Sequence, residues 1–175
     1  MSKGSTVVHL AELSNDPLGE LNERATYEIN HVGSVTLARA CKAAGVPRFV
    51  YTSSCSVYGA AEDGGERSER SPPNPQTAYA RCKVLVERDV GALADIDFSP
   101  VFLRNATAFG ASPRMRFDIV LNNLAGFAWT TKEIRMTSDG TPWSTAGSCR
   151  GHLPSDHPRF EGAERGSTQR NFQRW

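Results

Sequence analysis

Residues 45–59 read Gly45-Val46-Pro47-Arg48-Phe49-Val50-Tyr51-Thr52-Ser53-Ser54-Cys55-Ser56-Val57-Tyr58-Gly59. Three signals follow one another in this stretch. Gly45 suits the left-handed position just past a helix end, Val46 can fold back on that helix, and Pro47 forbids its continuation. Arg48 to Ser54 then reads as a short, β-branched and aromatic strand, buried on both faces as in a parallel sheet. A run of hydroxyls and a glycine closes the strand. In an open α/β sheet the carboxyl ends of strands are where ligands sit, so hydroxyls clustered there can touch a substrate oxygen. The alternative is that Ser53 and Ser54 hydrogen-bond a turn, as serines after strands often do.

Working outward, the spacing predicts a helix from about Asn22 to Ala44, with Ile29, Val32, Leu37, Ala40, Cys41 and Ala44 as its apolar, core-facing stripe. Before it, Thr6 to Ala11 reads as another buried strand. After it, the Gly-, Glu-, Ser- and Pro-rich stretch from Gly59 to Pro75 reads as a surface loop. A second helix is expected from about Gln76 to Ala94, burying Cys82, Leu85, Val86, Val90 and Leu93. Phe98 to Arg104 reads as a third strand, Arg114 to Ala128 as a helix and Glu133 to Met136 as a short strand. Strands alternating with long helices define an α/β layered domain with a parallel sheet.

The chain has 175 residues, 39% of them hydrophobic and 22% charged, which suits one globular domain. Twenty Lys and Arg against nineteen Asp and Glu leave a net charge of +1, so no strong field argues for a nucleic-acid or acidic partner. No apolar run approaches the roughly 18 residues of a membrane span. Four irregularly spaced cysteines, Cys41, Cys55, Cys82 and Cys149, suit scattered thiols of a cytoplasmic protein. From Ser144 to Trp175 the sole residue among Val, Ile, Leu and Met is Leu153, which predicts a disordered tail over 144–175 beyond a domain at 1–143. Cys149-x-x-His152 with His157 lacks the paired spacing of a structural zinc site, and no metal is expected.

Tyr79-Ala80-Arg81-Cys82-Lys83 places a phenol and an ammonium at i and i+4, on one helix face. An ammonium beside a tyrosine favours the phenolate and makes a usable general acid/base. Taken alone, this spacing is usually a helix-surface accident. His9 reads as a satisfied strand histidine, His31 as a surface or packing residue and Cys55 as a packed small side chain.

Val8-His9-Leu10-Ala11, Asn30, Ser53 to Gly59, Tyr79-x-x-x-Lys83 and Leu103-Arg104-Asn105-Ala106 to Gly110 occur in one order. That order resembles the extended short-chain dehydrogenase/reductase family, in its NAD-dependent nucleotide-sugar epimerase/dehydratase branch, over roughly Thr6 to Trp143. The resemblance implies a doubly wound, Rossmann-like parallel sheet, a nucleotide-sugar substrate and NAD as cofactor. It implies Tyr79 as general acid/base, Lys83 as the residue that holds the nicotinamide ribose and tunes the tyrosine, and Ser54 as the substrate-orienting hydroxyl. Leu10, Ala11, Asn30, Ser53 and Ala106, with Tyr79 and Lys83, resemble cofactor contacts. Ser54, Cys55, Ser56, Thr107 and Asn123 resemble substrate contacts. Cys55-Ser56 stands where dehydratase members carry Asp-Glu, which favours epimerase or reductase chemistry over dehydration. Family members commonly homodimerise, through helices that here include 22–44 and 76–94.

Two departures shape the expectation. No glycine-rich phosphate-binding turn occurs, and eight residues precede His9, so a partial sheet lacking its first βαβ units is expected, with NAD held poorly. NAD and NADP are not distinguished by what is present. The alternative function is a non-catalytic fragment or interaction module; a sugar-nucleotide reductase or dehydratase is a weaker one. Glu12 stands where the family usually has a small residue, and its carboxylate would repel a pyrophosphate unless it turned out to solvent.

Overall fold

A computed structural model of the chain describes residues 5–14, 16–59, 67–136, 146–148 and 170–171. The chain divides into two compact units, the first over 1–60, 67–105 and 163–174, the second over 61–66, 106–162 and 175.

The first unit opens with β1 (Thr6–His9) and the short helices α1 (Asp16–Leu21) and α2 (Glu23–Thr26). Helical structure continues without a break through a π-helical turn (Tyr27–Gly33) into α3 (Ser34–Ala43). β2 (Arg48–Ser54) leads into a 3₁₀ turn (Cys55–Tyr58), followed by α4 (Ala78–Gly91) and β3 (Ser99–Asn105). β1, β2 and β3 are parallel neighbours in that order, with Val8 opposite Val50 and Val50 opposite Val101. This is the α/β, Rossmann-like arrangement expected. A two-residue strand, β6 (Arg170–Asn171), pairs in parallel with β3 on its other side. In the second unit β4 (Thr107–Phe109) pairs in parallel with β5 (Ala146–Ser148), and α5 spans Val120–Thr131.

The end of α3 shows why Gly45-Val46-Pro47 terminates it. Gly45 takes φ +72°, its N–H donates to the Lys42 carbonyl, and the Val46 N–H donates back to the Cys41 carbonyl. That is the Schellman pattern, and it costs glycine no Cβ clash. At the other long helix, the Thr77 hydroxyl accepts the Ala80 N–H and caps α4.

The core lies between the sheet and the α3–α4 pair. Val35, Ala38 and Cys41 of α3 and Val86 and Val90 of α4 pack with Val46, Phe49, Tyr51, Phe98 and Phe102. Alternation along β2 sends Phe49, Tyr51 and Ser53 to the same side. On α4 the expected face is the observed one: Cys82, Val86 and Val90 are buried, Leu85 and Leu93 half-buried.

The helical run of 23–43 is turned differently from expectation. Ile29, Val32 and Leu37 are exposed, as are Ala40 and Ala44, and of the expected stripe Cys41 alone is buried. Thr26, Asn30, Ser34, Val35, Ala38 and Cys41 face inward instead. Three of these are polar, and hydrogen bonds make their burial affordable: the Thr26 hydroxyl donates to the Gly19 carbonyl at 2.8 Å. The first strand stops at His9, so Leu10 and Ala11 are exposed loop. Glu133 to Met136 form no strand. Of the expected tail, the described residues are those of β5 and β6; the rest of 144–175, with Cys149, His152 and His157, lies outside the described residues.

Candidate active site

The site is built where β1 and β2 end and α4 begins. Tyr79 and Lys83, one turn apart on α4, are both buried, at 8% and 3% exposure. Gly19 of α1 lies against Tyr79: a Cβ there would stand 3.2 Å from the Tyr79 Cβ, so a side chain would push the helices apart. The Lys83 ammonium sits 5.2 Å from the Tyr79 ring centroid and 4.6 Å from that of Tyr51, close enough for cation–π attraction to both. The i,i+4 spacing therefore does bring phenol and ammonium to one place.

The ammonium has a third neighbour that spacing does not reveal. Lys83 Nζ donates to Glu12 Oε2 and to the Thr52 carbonyl, and both partners of the ion pair are 3% exposed. Tyr51 Oη donates to Glu12 Oε1 at 2.5 Å, and Ser34 Oγ donates to the same oxygen at 3.2 Å. Glu12 thus turns into the protein and not out to solvent, the one orientation that would have kept its carboxylate away from a pyrophosphate. Burial and the Glu12 carboxylate hold the Tyr51 phenol far above its ordinary pKa, so it stays a donor. Burial pushes the Lys83 ammonium below the ordinary lysine value, and Glu12 opposes that shift.

Asn30 aims this loop. It lies in the π-helical turn, is fully buried, and accepts the Leu13 N–H at 2.8 Å while donating to the Leu13 carbonyl at 3.0 Å. Both backbone groups of the residue after Glu12 are therefore fixed by one side chain. His9 completes the network, its Nε2 lying 2.8 Å from Ser34 Oγ. Since that hydroxyl gives its proton to Glu12, His9 Nε2 is the donor here. Burial lowers the His9 pKa, Glu12 opposing and Lys83 reinforcing. A histidine held neutral in the fold contributes stability above its unfolded value of 6.5, and that contribution is lost as pH falls below it. Urea midpoints are accordingly expected to fall between pH 7.5 and 5.5, and His9→Gln should flatten that slope; an unchanged slope would refute the assignment.

The hydroxyls at the end of β2 already have partners within the fold. Ser54 Oγ accepts the Ser56 N–H at 3.2 Å and donates to Ser56 Oγ at 3.0 Å, capping the 3₁₀ turn. Ser53 Oγ donates to Glu87 Oε1 at 2.5 Å, beside a second buried ion pair in which Arg104 reaches Glu87 at 2.6 Å and donates to the Tyr58 hydroxyl at 2.9 Å. Cys55 and Ser56 are half-buried, while Leu10 and Ala11 lie exposed before Glu12. Ala106, Thr107 and Asn123 belong to the second unit, where Asn123 Nδ2 donates to the Phe117 carbonyl at 3.1 Å. Sequence reasoning missed Glu12, Ser34 and Tyr51 as a set, and Glu87 with Arg104. The available signal was a carboxylate inside the otherwise apolar His9–Leu13 segment.

Parallel strands, crossover helices and a Tyr–Lys pair at the strand ends define an α/β domain of the Rossmann-like dehydrogenase kind. The chain belongs to the NAD-dependent epimerase/dehydratase family, which its residues 1–145 match. A UDP-glucose 4-epimerase of Rhizobium leguminosarum bv. trifolii is 35% identical over 115 residues, covering 62% of this chain and 33% of that protein. One from Azospirillum brasilense is 34% identical over 113 residues, 63% of this chain and 32% of that one. Among solved structures, MoeE5 in complex with UDP-glucose and NAD superposes with a TM-score of 0.62 at 35% identity, over 74% of this chain and 42% of that one. TunA, an NAD-dependent NDP-hexosamine 5,6-dehydratase, gives 0.65 at 28% identity, over 78% and 45%. The chain spans about a third of the length of these curated relatives. No helix among the described residues is long and apolar enough to cross a membrane.

The family is NAD-dependent, and the residue that resembles its ribose holder is Lys83. As placed, Lys83 faces Glu12, the Thr52 carbonyl and two aromatic rings, with 3% of its side chain exposed. In this arrangement the site does not fit a cofactor ribose.

Proposed function

We propose that the chain carries the proton-transfer residues of a nucleotide-sugar epimerase acting on UDP-hexoses. The observation that supports this best is the burial of Tyr79 and Lys83 together on one face of α4, at the carboxyl ends of β1 and β2. Tyr79 exchanges the proton of the reacting sugar hydroxyl. Lys83, once free of Glu12, favours the phenolate; Ser54 orients the sugar oxygen by one hydrogen bond. Leu10, Ala11, Asn30 and Ser53 are proposed to line the cofactor side, and Cys55 and Ser56 the sugar-nucleotide side. The presence of Cys55-Ser56 rather than Asp-Glu after Ser54 supports epimerisation over dehydration. Exposed Ile29, Val32 and Leu37 on the 23–43 helix support homodimerisation through that face.

A second reading, a non-catalytic module, is favoured by one observation: the ammonium needed for catalysis is already paired with Glu12. Incubating the chain with NAD and UDP-glucose, and following anomeric protons by NMR, separates the two. Formation of UDP-galactose is expected under the first reading. No product from either the chain or Glu12→Ala would overturn it.

A further inference from the structure

We propose that Glu12 is an internal occupant of the Lys83 site, closing it to any ligand that offers hydroxyls to the ammonium until the Glu12 loop swings out. The inference rests on the reading above, in which Lys83 is the residue meant for a ribose. An ammonium has three donors. One goes to Glu12 and one to the Thr52 carbonyl, while the Tyr51 and Tyr79 rings stand over the group. A ribose diol brings two hydroxyl oxygens, more than the remaining donor can serve.

The occupant is held from four sides. α4 supplies Lys83, β2 supplies Tyr51 and α3 supplies Ser34, while Asn30 of the π-helical turn grips the next residue by both backbone groups. The chain dips inward at this one point: Leu10 is 68% exposed and Ala11 is exposed, yet the Glu12 side chain is 3% exposed. Exchanging a carboxylate for a neutral hydroxyl beside a buried ammonium loses Coulomb attraction, and it leaves the Tyr51 and Ser34 hydroxyls in need of new acceptors. The competent state is therefore a fraction of the population, and apparent affinity falls by that fraction. The other charged or titratable groups facing the pair are His9, Tyr51, Tyr79, Cys82 and Glu87.

Amine labelling reads this closure without any activity. The full chain is treated with acetic anhydride, and acetylation of each lysine is followed by peptide mass spectrometry. Lys83 is expected to react at least tenfold more slowly than exposed Lys132. Glu12→Ala should raise the Lys83 rate at least tenfold, with Glu12→Asp between the two, and NAD should then protect Lys83. If Glu12→Ala does not fold, Glu12→Gln, which keeps the volume and removes the charge, is read in the same way. An unchanged Lys83 rate in the folded variant overturns the proposal. A raised rate without protection by NAD upholds closure by Glu12 and counts instead against the NAD site.

Discussion

Replacing Lys83 with methionine is expected to cost the fold about 3–5 kcal/mol at neutral pH, because it removes one member of a buried ion pair and leaves the other uncompensated. Glu12 and Lys83 are each 3% exposed, so water cannot take the place of the missing ammonium. The Tyr51 and Ser34 hydroxyls still donate to Glu12 Oε1, but Oε2 loses its cation. A double variant separates this cause from lost packing. Adding Glu12→Gln to Lys83→Met should recover most of the loss, since no charge then remains to be buried. Urea denaturation of the two single variants and the double variant completes the cycle. A loss below about 1 kcal/mol, the scale of a surface pair, would show that the pair is solvated and open.

The same pair explains what the amino-acid sequence revealed and what it concealed. Features set by backbone chemistry were legible. Gly45-Val46-Pro47 announced the end of α3, and Arg48 to Ser54 is β2 to the residue. The core side of α4 was legible too, because Cys82, Val86 and Val90 are apolar at helical spacing. The rotation of the 23–43 helix was not. Periodicity weighs Ile29, Val32 and Leu37 as inward residues, whereas the fold buries Thr26, Asn30 and Ser34 through hydrogen bonds to groups outside that helix. Glu12 was hidden for the same reason. Of its three partners, Ser34 is 22 residues away, Tyr51 39 and Lys83 71, and no local pattern encodes them. That Tyr79 and Lys83 come together was legible in their spacing, since one helix carries both; the roles expected of them came from the family resemblance.

Tyr79→Phe is expected to slow UDP-hexose epimerisation by roughly 10²- to 10⁴-fold, the range for losing a general acid/base. That is about 2.7–5.5 kcal/mol of transition-state stabilisation. The comparison belongs in a Glu12→Ala background, where Lys83 is released and proton transfer is not masked by a closed site. Phenylalanine keeps the ring that packs against Gly19 and under the Lys83 ammonium, so the fold and the cation–π contact survive. What disappears is the phenolic oxygen proposed to exchange a proton with the sugar hydroxyl. The loss should fall on kcat while KM stays near its parent value, because the proton moves only in the transition state. Ser54→Ala should cost far less, about 0.5–1.5 kcal/mol for one orienting hydrogen bond. Turnover by Tyr79→Phe within a few-fold of its parent would remove Tyr79 from the mechanism, since nothing but the exchangeable proton and its oxygen has been taken away.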